Sequence, residues 1–444
     1  MALRTESRVV LHSNDRELEK GFERLKHQAL HWVFEGYPVG DYYEAALPNR
    51  DAFCMRDVSH QCTGGEVLGL SEHNKNMFLK FAQSISDARD WCAHWEIDRW
   101  DRPCPVDHTN DQDFWFNLPG NFDVLDACWR MYLWTGDRDY LAHDDLDYFY
   151  AQTMEAYIKR WDSSGNGLPG RKAGIEGRTI FNKGRLTRRG VPGYDEASAI
   201  WDTLQTATDM VAAMARAHLS YAKICGQMGR AEQEAIYNKR GTELLKRLNR
   251  DFYTEDLGFA KGFDFDGKLL HADKEYTSGR HMLYWDAVPD QSRQNRMLDA
   301  YASDMEKVQI EDFSHFPEIL WRYGRNEDAM RSLKMLMDPG LARKEYPEAS
   351  YCAIGAVATG LMGICPDAAT NTIGTCPGLV GTDWAGLCYV PILGGEVSVH
   401  HEGLTSSQLT WNGDRPIIWK AYFCGSASPV EITVKPGETA VASR

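Results

Sequence analysis

Residues 349–362, ASYCAIGAVATGLM, are small and apolar on every face. Only a helix enclosed by other elements can use such a pattern, because no side of it is suited to water. Other helical stretches read differently. Leu18, Phe22, Leu25, Ala29, Trp32 and Val33 form one stripe at three-and-four spacing, the signature of a helix with one buried face. Similar stripes run through Val124, Cys128 and Met131, then Leu204, Thr208, Val211, Ala215, Leu219 and Ala222, then Tyr237, Gly241, Leu244 and Leu248. The last, with Glu232 to Arg247, keeps a charged face. All-apolar and one-faced helices in a single chain imply two concentric layers.

Loops rich in Gly, Pro, Asp and aromatic residues separate the stripes, as helical hairpins require. The expected fold is all-α, about six hairpins closed into an (α/α)6 toroid. From about residue 374 the period becomes two, through Val397, Val399 and His401, then Ile417, Trp419, Ala421 and Phe423, then Val430, Ile432 and Val434. These are strands, and Asn412-Gly413 is expected to be a hairpin turn between two of them. A few strands cannot stand alone. The expected organisation is therefore a barrel over 1–370 with a small C-terminal antiparallel β-element over 371–444 packed on it.

With 444 residues and no linker, one large core is expected. A formal charge of −15 disfavours nucleic acid, whose phosphates need clustered Lys and Arg. The 11 Cys are odd in number and show no CxxC or Cys/His spacing, so neither a disulfide framework nor a metal site is read from them. They read as buried free thiols. Met1 to Leu18 is charged, without an apolar leader core, and no run approaches a membrane span. A cytoplasmic protein is expected as the chain is written, with a trimmed leader as the alternative, and a homo-oligomer is left open. The 14 Trp and 20 Tyr suit either a large core or an aromatic-lined carbohydrate cleft.

Several loops collect groups able to do chemistry. In FCMRDVSH, Arg56, Asp57 and His60 lie among apolar neighbours, as a buried ion pair or a grip on sugar hydroxyls. In DHTNDQDFWFNLPGNFD, Asp113 and Trp115 suit a sugar subsite or a capped helix entrance. WDSSGNGL mimics a calcium loop, but Ala173 stands where the twelfth-position Glu would be, so a tight Gly-assisted turn is expected. Downstream come Glu176 and Arg178, then Tyr194, Asp195 and Glu196, the acids reading equally as helix caps. Tyr276, Arg280 and His281 share a fourth loop, and Glu345 and Glu348 stand at the mouth of the apolar helix. Arg171, Arg178, Arg185, Arg188 and Arg189 crowd one segment. They read as solvated charge or, with Arg280, as a clamp for a substrate carboxylate.

WDSSGNGLPG followed by PGYDEASAIW resembles the loop and Tyr-Asp segment of six-hairpin glycosidases. In the related family-116 β-glycosidases a comparable Tyr-Asp supplies the acid/base, which implies that role for Asp195. The runs IEDFSHFPEILWRYGRNEDA, RKEYPEASYCAIGAVATGLMGI and VSVHHEG resemble bacterial six-hairpin proteins, among them family-154 glycoside hydrolases, whose activity is that of a β-glucuronidase.

The loop residues and the resemblance together lead to the expectation of an exo-acting hydrolase of a plant or algal oligosaccharide with no cofactor. Asp195 would donate the proton and Glu345 act as base or nucleophile, with Glu176 and Glu196 in reserve. Arg56, Asp57, His60, Asp113, Trp115, Arg178, Tyr194, Tyr276, Arg280, His281 and Glu348 would hold the sugar. A polysaccharide lyase, a sugar epimerase or a non-catalytic sugar-binding protein on the same toroid are the alternatives.

Overall fold

The computed structural model describes residues 6–45, 47–172, 189–194, 203–271 and 281–444. Amphipathic and enclosed helices alternate along them. Arg16–His31, Ser71–Gln83, Asp144–Gln152, Ala231–Asp251, Gln291–Asp304 and Asn326–Leu336 bury one face each. Between them come Met55–Val67, Gly120–Thr135, Thr208–Gln227, the helical residues 281–284, Phe316–Arg322 and Pro347–Ala356, buried on most or all sides. The enclosed helices pack in ring order. Pro347–Ala356 lies against Met55–Val67, which lies against Gly120–Thr135, which lies against Thr208–Gln227. This is the two-layered toroid.

Local chemistry starts and stops these helices. Asp15 caps Arg16–His31, its carboxylate accepting from the backbone of Glu17 and Leu18 at 3.0 and 3.2 Å, which satisfies two otherwise orphaned donors. The enclosed helix at 347 begins with Pro at its first position and continues through Val357–Leu361 as a wider turn. The loop after Trp161 is the tight turn expected of it. Asp162 accepts from the backbone of Asn166 and Gly167 at 3.0 and 2.8 Å.

Close approach within the inner ring depends on glycine. A Cβ on Gly64 would fall 2.0 Å from the backbone oxygen of Tyr351 on the adjoining inner helix. Gly64→Ala is therefore expected to force these helices apart, at about 1–3 kcal/mol. An unchanged thermal midpoint would show that the ring closes without that contact.

A second device pins three inner helices. Asp126 is buried and accepts from Arg130 Nε at 2.9 Å, Arg216 Nε at 3.0 Å and Ser220 Oγ at 2.7 Å. Arg130 also donates to the backbone oxygen of Ser59 at 2.6 Å. The carboxylate thus joins Gly120–Thr135 to Thr208–Gln227 directly, and to Met55–Val67 through Arg130. Burial opposes its ionisation, but Arg216, Arg130 and the Ser220 hydroxyl outweigh burial and hold it down to about 2.

The structure is 45% helix and 23% strand, so the all-α expectation is corrected. The β-structure is more than a tail of three or four strands. A five-stranded sheet runs Val10–Ser13, Trp384–Ile392, Gly395–Glu402, Ser406–Asn412, Thr439–Ser443. A four-stranded sheet runs Cys365–Asp367, Thr372–Thr375, Ile417–Ala421, Val430–Val434. Val10–Ser13 and Cys365–Asp367 come from the barrel side of the expected boundary at 371, so the element includes strands from both sides of it.

Asn412-Gly413 is not a hairpin either. Ser406–Asn412 pairs with Gly395–Glu402 and Thr439–Ser443, and the next strand, Ile417–Ala421, belongs to the other sheet. Gly413 is needed for space, because a Cβ there would strike the Trp411 indole. The tight hairpin is at Leu393-Gly394, both at positive φ, with Ile392 paired to Gly395.

The eleven cysteines are free, as expected, but Cys365, Cys376 and Cys424 are exposed and Cys388 is half-buried. Among the described residues no helix is long and apolar enough to cross a membrane.

Candidate active site

The inner helices bring together, from distant parts of the sequence, a buried group of imidazoles, carboxyls and rings. His60 comes from the second turn of Met55–Val67, Glu348 from the first turn of Pro347–Ala356, and His315 immediately precedes Phe316–Arg322. His281 is the first of the described helical residues 281–284. His315 Nε2 lies 2.9 Å from Glu348 Oε1, and His60 Nδ1 lies 3.9 Å from the same oxygen. Ring centroids of His60 and His315 are 4.8 Å apart, and that of His281 is 5.9 and 6.0 Å from them. The four side chains are at most 6% exposed.

Aromatic groups enclose this cluster. Tyr194 stacks on His281 with centroids 3.8 Å apart and planes 10° from parallel. Its hydroxyl donates to Asp123 and accepts from Trp285 Nε1 at 3.2 Å. Tyr284 lies against His60 at 4.8 Å. Cys352 Sγ, one turn beyond Glu348, lies 3.9 Å from His315 Nδ1.

Carboxyls within the wall are held toward their neutral forms. Asp57, one turn before His60, accepts from the Tyr346 hydroxyl at 2.9 Å. Burial, and then the charge of Glu348, push it up to about 6, against the opposing effect of Arg56. Burial pushes Asp123 well above the usual carboxylate range despite the Tyr194 hydroxyl. Two interacting carboxyls in one buried site are a recurrent arrangement for acid and base roles.

The sequence-derived candidates divide accordingly. Asp57, His60, Tyr194, His281 and Glu348 meet in the cluster. Glu345 does not: it is exposed in the turn before Pro347, and the carboxylate of that segment that faces inward is Glu348, because the helix begins between them. Trp115 is 2% exposed and lies within the buried hydrophobic cluster. Asp113 is half-buried in a two-residue strand paired with His108–Asn110. Arg56 is half-buried with its guanidinium 5.6 Å from the Trp95 ring.

Asp195, Glu196, Glu176, Arg178, Tyr276 and Arg280 lie outside the described residues. Of the Arg-rich segment, Arg189 pairs with Asp90 at 3.1 Å and Arg171 lies over Phe265 at 5.1 Å. Both have structural partners. His315, Asp123, Tyr284, Trp285, Tyr346 and Cys352 were not singled out from sequence. The available signal was SHFPE, a His-aromatic-Pro-acid run at the start of a helix.

No protein-family model matches the chain, and no curated protein matches its sequence. Solved structures do match in fold. A family-78 rhamnosidase of Bacillus sp. GL1 superposes with a TM-score of 0.65 at 14% identity, over 90% of this chain. An α-L-rhamnosidase from Aspergillus terreus does so at 0.60 and 14% over 99%, and that from Dictyoglomus thermophilum at 0.63 and 11% over 98%. This chain spans 40% of the first protein's length and 50% of each of the others. The shared architecture is the (α/α)6 toroid.

Proposed function

We propose that this protein is a carbohydrate-active enzyme that cleaves a glycosidic bond at the centre of its toroid. The observation that carries the reading is the buried Asp57–Glu348 pair, two interacting carboxyls where the inner helices converge, in a fold shared with glycosidases. Asp57 supplies the proton to the leaving oxygen and Glu348 acts as base or nucleophile. His315, 2.9 Å from Glu348, orients it. Asp195, the donor implied by the Tyr-Asp motif, is the rival for the first role and directly follows Tyr194 of the cluster.

The substrate proposed is the non-reducing end of a plant or algal oligosaccharide. Arg56, beside Asp57, favours a uronic acid there, as kinship with family 154 implies. Tyr194 and Tyr284, the rings packed on His281 and His60, would line the sugar subsite.

A panel of aryl glycosides and oligosaccharides, including glucuronides and rhamnosides, tests this. Turnover of at least one is expected, with kcat/KM falling above about pH 6 as Asp57 loses its proton. Asp57→Asn should remove that limb with most of the rate, whereas Asp195→Asn would do so if the motif-derived donor is correct. A well-folded protein that turns over nothing on the panel, or whose Asp57→Asn and Asp195→Asn forms both keep wild-type rates, would overturn the assignment. The second reading is a lyase, for which the presence of a phenol and an imidazole, Tyr194 and His281, in the same cluster is the supporting observation. An unsaturated product absorbing in the ultraviolet would identify that reaction.

A further inference from the structure

We propose that His60, His281 and His315 form a binding site for a divalent transition-metal ion of the zinc class. The inference goes beyond the glycosidic reading and does not depend on it. One ring nitrogen from each imidazole lies within 4.8 Å of the other two. Three donors no farther apart than that share a centre no more than about 2.8 Å from each, and zinc–nitrogen bonds are about 2.0–2.1 Å. Inward movements of under about 1 Å therefore complete the coordination, within the reach of small side-chain rotations.

The donor set selects the ion. Imidazole nitrogens suit zinc and its transition-metal neighbours, whereas magnesium and calcium take oxygen. Burial sharpens the selection, because His60, His281 and His315 are between 1% and 6% exposed and the site is closed to the bulk of the water a hard cation keeps. The charge balance agrees. Glu348 stands 2.9 Å from His315 and 3.9 Å from His60. A dication offsets the desolvation of a carboxylate buried beside it. Glu348 beside His315 is the carboxylate neighbour that commonly orients a ligating imidazole.

The ligands come from three separate inner helices or their mouths, at positions 60, 281 and 315. That is why no local Cys/His spacing announces them. Three imidazoles leave a fourth position, which a water or a substrate hydroxyl would occupy.

The full-length protein, purified without a histidine tag after expression with added zinc, tests this by elemental analysis and by titration of the chelator-stripped protein with zinc chloride. About one equivalent per chain is expected, falling at least tenfold in His60→Ala and in His281→Ala. The surface variant His12→Ala should retain it. Fewer than a tenth of an equivalent in the wild type, or full retention in both inner variants, would overturn the site. Should the inner variants fail to fold, the cobalt-loaded wild type decides. Visible absorption of tetrahedral nitrogen-bound cobalt supports the site, and a colourless protein rejects it. Both readouts are made without substrate, so their failure is distinct from failure of the glycosidase assay.

Discussion

Glu348→Gln is expected to leave the protein folded and to lower kcat/KM about 10²- to 10⁴-fold, the range associated with loss of a positioned acid–base group. Gln keeps the volume of the side chain and can still hydrogen-bond His315, now 2.9 Å from the carboxylate. It removes the negative charge and the ability to accept a proton. The expected loss therefore falls on kcat more than on KM, and the thermal midpoint should change little. Wild-type turnover by this variant would eliminate Glu348 as base or nucleophile. Glu345→Gln is the matched control, exposed three residues earlier, and should be silent.

Asp126→Ala carries the largest expected effect on stability. Arg130 and Arg216 both direct a guanidinium nitrogen at this buried carboxylate, at 2.9 and 3.0 Å. Removing the partner leaves two partly buried guanidinium groups uncompensated, at a cost of about 3 kcal/mol, the lower end for a broken buried pair because solvent reaches both arginines. Chemical denaturation should show a large fall in the unfolding midpoint, and a normal midpoint would refute the pinning role.

The same group predicts acid sensitivity. Its folded-state affinity for protons is depressed from 3.8 to about 2. It therefore adds stability that is fully present above its ordinary value and is lost as the pH falls from about 4 through 2. The amount is about 2 kcal/mol. Stability measured across that window should decline more steeply in the wild type than in an Asp126→Asn protein.

Much of the architecture was legible. The apolar run at 349–362 did become a helix enclosed on all sides, and the stripe from Leu18 to Ala29 did become an outer helix with one buried face. Helix periodicity reports local burial, and burial separates the inner from the outer layer. The candidate site was legible residue by residue but not as a set. Asp57, His60, Tyr194, His281 and Glu348 were recognised in separate loops, whereas His315 was passed over because an isolated histidine near a helix start carries no periodic signal. Glu345 was placed ahead of Glu348 as base or nucleophile, but which acid faces inward depends on where the helix begins, and that is Glu348.

The amino-acid order by itself determined the alternation of one-faced and all-apolar helices, the strand character of the C-terminal region and the tight turn after Trp161, because these arise between residues a few positions apart. Tertiary structure alone decided that Val10–Ser13 would pair with Trp384–Ile392, that the chain at Gly413 would cross to another sheet, and that residues 60, 281, 315 and 348 would meet. Those outcomes depend on ring closure and sheet register, which couple segments hundreds of residues apart and leave no local pattern in the chain.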